Sequence, residues 1–142
     1  MRRLALVGAA LALAAAAGTA QAAATPAQVA RAWSKALNAN HNVAAANLFA
    51  HNARVLQPGV DARLTSHALA VLFNESLPCA GRIIAVTVKG DRATATFVLG
   101  QRPKHRCDAP GAKAAAVFTV RNGKIVQWQQ IPVPTPPSGP TA

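Results

Sequence analysis

The chain has 142 residues, with 15 Lys and Arg against four Asp and Glu, for a formal net charge of +11. That length supports one domain with one core. The basic residues are spread without interleaved aromatics, which argues against a specific nucleic-acid platform, and four histidines without metal-ligand spacing argue against a zinc centre or other metal.

Met1-Arg2-Arg3 is followed by an uncharged run from Leu4 to Ala17 and by Gly18-Thr19-Ala20-Gln21-Ala22. A basic start, an apolar run and an A-x-A site predict a secretory signal over residues 1–22, cleaved near Ala22. The apolar run is shorter than the roughly 20 residues of a spanning helix, so no stable membrane anchor is expected after cleavage. The protein is therefore expected to be secreted or periplasmic. In such a compartment the two cysteines, Cys79 and Cys107, are expected to form one disulfide.

The expected domain runs over residues 23–131. Thr25-Pro26-Ala27-Gln28 reads as a capping box opening a helix, with Val29, Trp33, Ala36 and Leu37 at inward spacing. A short second helix follows Asn40-His41-Asn42, with Ala44, Ala45, Leu48 and Phe49 inward and His51 at its end. Residues 53–57 form a short extended piece ended by Pro58-Gly59, which leaves Asp61 in a loop beside Arg63. A third helix begins near Thr65 or Ser66 and is expected to bury Leu69, Leu72, Phe73 and Leu77.

The second half reads as sheet. Gly90-Asp91 and Asn122-Gly123 are two-residue hairpin signals. Pairing Lys89 with Arg92 puts Ile84, Val86, Val88, Ala93, Ala95, Phe97 and Leu99 on one apolar face. Ile83, Ala85, Thr87, Thr94, Thr96 and Val98 fall on the other. In the second hairpin strict alternation groups Phe118, Val120 and Ile125 with Gln127 and Gln129, and sets Trp128 opposite them. The register puts Cys79 across from about residue 102, so the loop before Cys107 must turn back to close the disulfide. The Pro-rich run over residues 132–142 predicts an extended, disordered tail.

Three helices followed by two hairpins resemble the NTF2-like superfamily, its SnoaL-like and ketosteroid-isomerase-like branches especially. The residues that carry the likeness are the stretch from Trp33 to Asn40, that from Leu48 to Val55, Pro58-Gly59, and that from Phe118 to Trp128. The resemblance implies an α+β cone, with three N-terminal helices packed on a curved, mostly antiparallel sheet. It also implies an apolar pocket at the open end and, often, a homodimer through the sheet. Trp33, Gln57, Phe97, Phe118, Gln127 and Trp128 are the expected ligand-binding residues, and no cofactor is expected.

The resemblance also permits a test of chemistry. Ketosteroid isomerases need a carboxylate base and acidic donors for the enolate oxygen. The family's first-helix Tyr falls at Trp33 and its base at Gln57, and neither can move a proton at neutral pH. The leading expectation is therefore a non-catalytic exported domain that binds a small apolar ligand or serves as an association scaffold. A second reading is a lyase or isomerase with His51 or His67 as base, aided by Asp61. A third is an envelope protein that binds anionic partners through a basic patch of Arg102, Lys104 and Arg106.

Overall fold

The computed structural model describes residues 17–136 and Gly139. Most of the expected export signal and the end of the Pro-rich tail lie outside these residues. Residues 17–25 and 132–136 have no regular secondary structure.

Thr25 caps helix α1 (Pro26–Asn38) by accepting the Gln28 N–H, while the Gln28 side chain accepts the Thr25 N–H. The capping box satisfies donors that a helix start leaves unpaired. The buried face of α1 carries Val29, Ala30, Trp33, Ser34 and Leu37. The chain then turns at Asn40, whose φ is 58°, into a short helix α2 (Asn42–Ala46). Ala45 and Ala46 are buried there, while Ala44 is exposed, contrary to expectation.

Phe49 already begins strand β1 (Phe49–Gln57). His51 therefore lies on a strand and not at a helix end. Pro58-Gly59 is the turn of a hairpin into β2 (Val60–Leu64), which alternation did not reveal because only Leu64 of that strand is buried. Asp61 is thus a strand residue, and its partner is Arg54 and not Arg63.

Helix α3 (His67–Ser76) starts at Ser66, whose side chain accepts the Leu69 N–H. Its inward face is rotated from the expected one. Leu69 and Leu72 are 41% and 57% exposed, Phe73 is half-buried, and Ala70 and Asn74 are buried. The cause is polar. The Asn74 Oδ1 accepts the Trp33 indole N–H at 2.8 Å, and its Nδ2 donates to Ala70 O at 2.7 Å. Turning Leu69 inward would strand the indole N–H, a loss of about 1–3 kcal/mol.

Four longer strands complete the sheet: β3 (Ala80–Lys89), β4 (Arg92–Gly100), β5 (Lys113–Arg121) and β6 (Lys124–Ile131). The order is β2-β1-β6-β5-β4-β3, antiparallel except where β1 runs parallel to β6. Both turns act as expected, with Lys89 opposite Arg92 and Arg121 opposite Lys124.

Two bulges then reassign faces. In β3, Ile83 pairs with Phe97 and Ala85 with Thr96, so Ile83 joins the inner face and Ile84 is left 42% exposed. In β6, Val120 pairs with Ile125 but Thr119 with Gln127, which makes Val126 the extra residue. Trp128 therefore faces inward beside Phe118, and Gln127 and Gln129 face outward. One inserted residue flips every side chain beyond it.

The core fills the space between the helices and the inner face. Trp33 lies at its centre, with ring centroids 5.3 Å from Phe118, 5.8 Å from Trp128 and 6.3 Å from Phe97. The edge contacts with Phe118 and Phe97 add to plain area burial. Ser34 Oγ and Asn38 Nδ2 donate to Gly81 O, and Gly81 N–H donates to Asn38 Oδ1, which latches α1 to β3. Gly81 is required there, since a Cβ would stand 2.9 Å from the Phe97 ring.

The loop from Gln101 to Ala112 folds back over the helices. Cys107 meets Cys79 in a disulfide, with Cα atoms 4.4 Å apart. Arg102, expected on a basic surface, is only 3% exposed. Its guanidinium donates to Asn74 O, Leu77 O, Asn40 Oδ1 and Asn42 Oδ1. Burial lowers its pKa from the ordinary arginine value, with the charge of Glu75 opposing the shift. Arg102 ties the start of α2 and the turn before it to α3 and the loop, so only Lys104 and Arg106 of the expected patch face solvent.

Candidate functional site: the open end of the cone

Helices and inner sheet face enclose a cavity of about 260 Å³. Trp33 and Leu37 enter it from α1, Phe97 and Leu99 from β4, and Trp128 from β6. Leu77, Pro78 and Cys79, between α3 and β3, supply another side, so the disulfide forms part of the lining. Ala114 and Ala116 leave room that larger side chains on β5 would fill.

Polar groups are few. Gln57 closes one side, with its Nε2 3.4 Å from Gln130 Oε1. Asp108 is the one carboxylate among the described lining residues, and it is exposed on the folded-back loop. The Trp33 N–H is already spent on Asn74. Trp128 differs from it: its indole Nε1 is buried with no hydrogen-bond partner. Buried polar atoms are nearly always paired, and Arg102 Nε is the other unpaired side-chain donor among the described residues.

Four expected ligand residues (Trp33, Gln57, Phe97 and Trp128) line this cavity. Phe118 lies beneath it, fully buried against Trp33 and Trp128. Gln127 does not reach it, because the Val126 bulge turns it to the outer face. Gln130 and Asp108 are lining residues that the sequence reading missed. Counting one extra residue at Val126 would have found the first, whereas a loop carboxylate gives no periodic signal.

None of the three weak catalytic candidates lines the cone. His51 is exposed on the outer face of the sheet. His67 is exposed at the start of α3, with Nε2 2.8 Å from Asn47 Oδ1. Asp61 accepts from Arg54 Nε at 2.9 Å and Nη2 at 2.6 Å. Those hydrogen bonds, with the charges of Arg54 and Arg63, hold its carboxyl below the usual carboxylate range. Cys79, Cys107 and Asp108 offer ligand atoms within 4.8 Å of one another. Both sulfurs are joined in the disulfide, however, so they supply neither a thiolate for a metal nor an S–H for Asp108.

A curved six-stranded sheet wrapped on three helices, with a cavity at its open end, defines an NTF2-like cone of the ketosteroid-isomerase type. Residues 30–128 match the model of the SnoaL-like domain, and the chain belongs to that family. Among solved structures, the chain is similar to an NTF2-like protein from Cytophaga hutchinsonii at 12% identity and TM-score 0.63, over 79% of this chain and 91% of that one. A protein from Catenulispora acidiphila with a ketosteroid isomerase-like fold, in complex with trimethylamine, matches at 21% identity and TM-score 0.59, over 76% and 86%. A candidate polyketide cyclase from Sinorhizobium meliloti matches at 19% identity and TM-score 0.60, over 72% and 93%. At such identities the likeness is one of fold. No curated protein matches the sequence.

Proposed function

We propose that the protein is an exported, non-catalytic member of the SnoaL-like family that binds a small apolar molecule carrying one hydrogen-bond acceptor. The observation that carries this reading is Trp128, a cavity-lining residue whose buried N–H has no partner. Leaving such a donor unpaired costs about 1–3 kcal/mol, which a ligand carbonyl or hydroxyl would recover where the wall beside the indole yields enough to admit it. The apolar walls supply affinity, and the Gln57 and Gln130 amides orient the polar end.

Two further observations support a binding role. The positions that hold a Tyr and a carboxylate base in ketosteroid isomerases hold an indole already hydrogen-bonded to Asn74 and an amide. The disulfide supports an oxidising compartment, in line with the leader read at residues 1–22. A cavity of about 260 Å³ lies below the ~300–1,000 Å³ of most drug-sized sites, which favours one- or two-ring ketones and short acyl chains over sterols.

Thermal-shift titration with a ring-count series of ketones, fatty acids and sterols tests the proposal. The smaller ketones should stabilise the protein most. Trp128→Phe should weaken them about five- to tenfold, the worth of one hydrogen bond. If no member of the series raises the melting temperature, the proposal fails.

A further inference from the structure

The opposite face of the sheet carries a second cavity, of about 270 Å³, and its chemistry is the reverse of the first. Two ladder irregularities shape it. From Phe49 to Arg54 strand β1 advances five residues while β6 advances only from Ile125 to Gln127. The irregular stretch of β1 holds Asn52 at a φ of 61°, and His51, Asn52 and Ala53 line the cavity together with the Val126 bulge. Cross-strand neighbours face each other here, Arg54 with Gln127 and Arg92 with Thr119.

Four guanidiniums line this space: Arg54, Arg63, Arg92 and Arg121. Asp61 pairs with Arg54 at 2.6 Å and Asp91 with Arg121 at 3.3 Å. Arg63 Nη1 donates only to Asn52 O, at 3.3 Å, and among the described residues neither Arg63 nor Arg92 has a carboxylate partner. The chain has four acids in all. Glu75 lies on α3 and Asp108 at the cone cavity, so no further carboxylate lines this one. Like charges gathered in a concavity repel, and an anion between them turns that repulsion into attraction.

We infer that this outer cavity binds the phosphate monoester group of a small soluble molecule. Four guanidiniums against the two carboxylates Asp61 and Asp91 leave an excess of two positive charges, which matches one dianionic phosphate, and guanidinium forks suit its oxygens. Asn52, Thr119 and Gln127 add neutral hydrogen-bonding groups. Apart from the His51 imidazole no aromatic ring lines the cavity, so a nucleobase has little to stack on. The inference is independent of the cone cavity, which lies across the sheet.

Isothermal titration of the purified protein with inorganic phosphate and glycerol phosphate at low ionic strength tests it. The expected result is saturable 1:1 binding that weakens with added salt. The double variant Arg63→Gln/Arg92→Gln should lose at least tenfold in affinity, whereas Lys104→Gln/Arg106→Gln on the exposed loop should bind as wild type. If the double variant does not fold, amide chemical-shift changes in the wild-type protein must map to Asn52, Arg92, Thr119 and Gln127. No saturable binding, equal loss in the loop variant, or shifts spread over the surface would overturn the inference. Capture of phosphatidic acid vesicles without binding of free phosphates would overturn the soluble source.

Discussion

The inner and outer faces of one sheet differ more than its strand sequences suggest. Inward lie Phe97 and Trp128 at an apolar cavity, with Phe118 and Ile125 in the core, and outward lie Arg54, Arg92 and Arg121 around a polar one. Adjacent residues on the same strand feed both, as Trp128 and Gln127 do on β6. The division is set by pleat and bulge: without the extra residue at Val126, the Trp128 ring would point into the guanidinium cluster. A β-bulge is thus as decisive for this site as any side chain.

Perturbations should separate the two faces. The largest expected effect lies on the inner side, at Arg102. Arg102→Ala strands Leu77 O and Asn42 Oδ1 and removes one of two donors from Asn74 O and Asn40 Oδ1, and should cost about 3–5 kcal/mol in urea unfolding. Next comes the disulfide. Cys79→Ser/Cys107→Ser opens a loop with a sequence separation of 28 and should cost about 3–4 kcal/mol. Because Cys79 lines the cone cavity, the double variant should also lose ketone binding while leaving phosphate titration unchanged. Equal damage to both would mean that the two faces are not independent.

The smallest effect is expected outside, at Asp61. Its carboxyl is held below the usual carboxylate range, so the Arg54–Asp61 pair contributes at neutral pH. That contribution is lost as pH falls through the lowered value. Both side chains are substantially exposed, so Asp61→Asn should barely move the neutral-pH melting temperature. The same substitution releases Arg54, and it should tighten phosphate binding. Weaker phosphate binding in this variant would show that Asp61 orders the cavity instead of competing for it.

Much of this architecture was legible in the sequence, and the failures share a cause. The Thr25–Gln28 capping box, the Gly90-Asp91 and Asn122-Gly123 turns and the Cys79–Cys107 pair are local or compositional signals, and each holds in the structure. Ile83, Ile84, Gln127 and Trp128 were misassigned because alternation carries no mark of an inserted residue. Strand β2 was missed because Val60-Asp-Ala-Arg-Leu64 reads as a solvated loop. The turned face of α3 and the burial of Arg102 both depend on polar partners that lie distant in sequence, Trp33 and Asn42 among them. Four of the six residues expected at the ligand, Trp33, Gln57, Phe97 and Trp128, line the cone cavity.

The Ile84 bulge has a consequence at the margin of the sheet. Strand β3 is one of two unpaired edges, and a ten-residue edge rich in Ile and Val invites a second chain to add on as another strand. The bulge breaks its flat run of donors and acceptors, and Arg82 and Lys89 bracket it with charge. The opposite edge, β2, is only five residues long and carries Asp61 and Arg63. Strand-by-strand growth into fibres is therefore opposed at both edges.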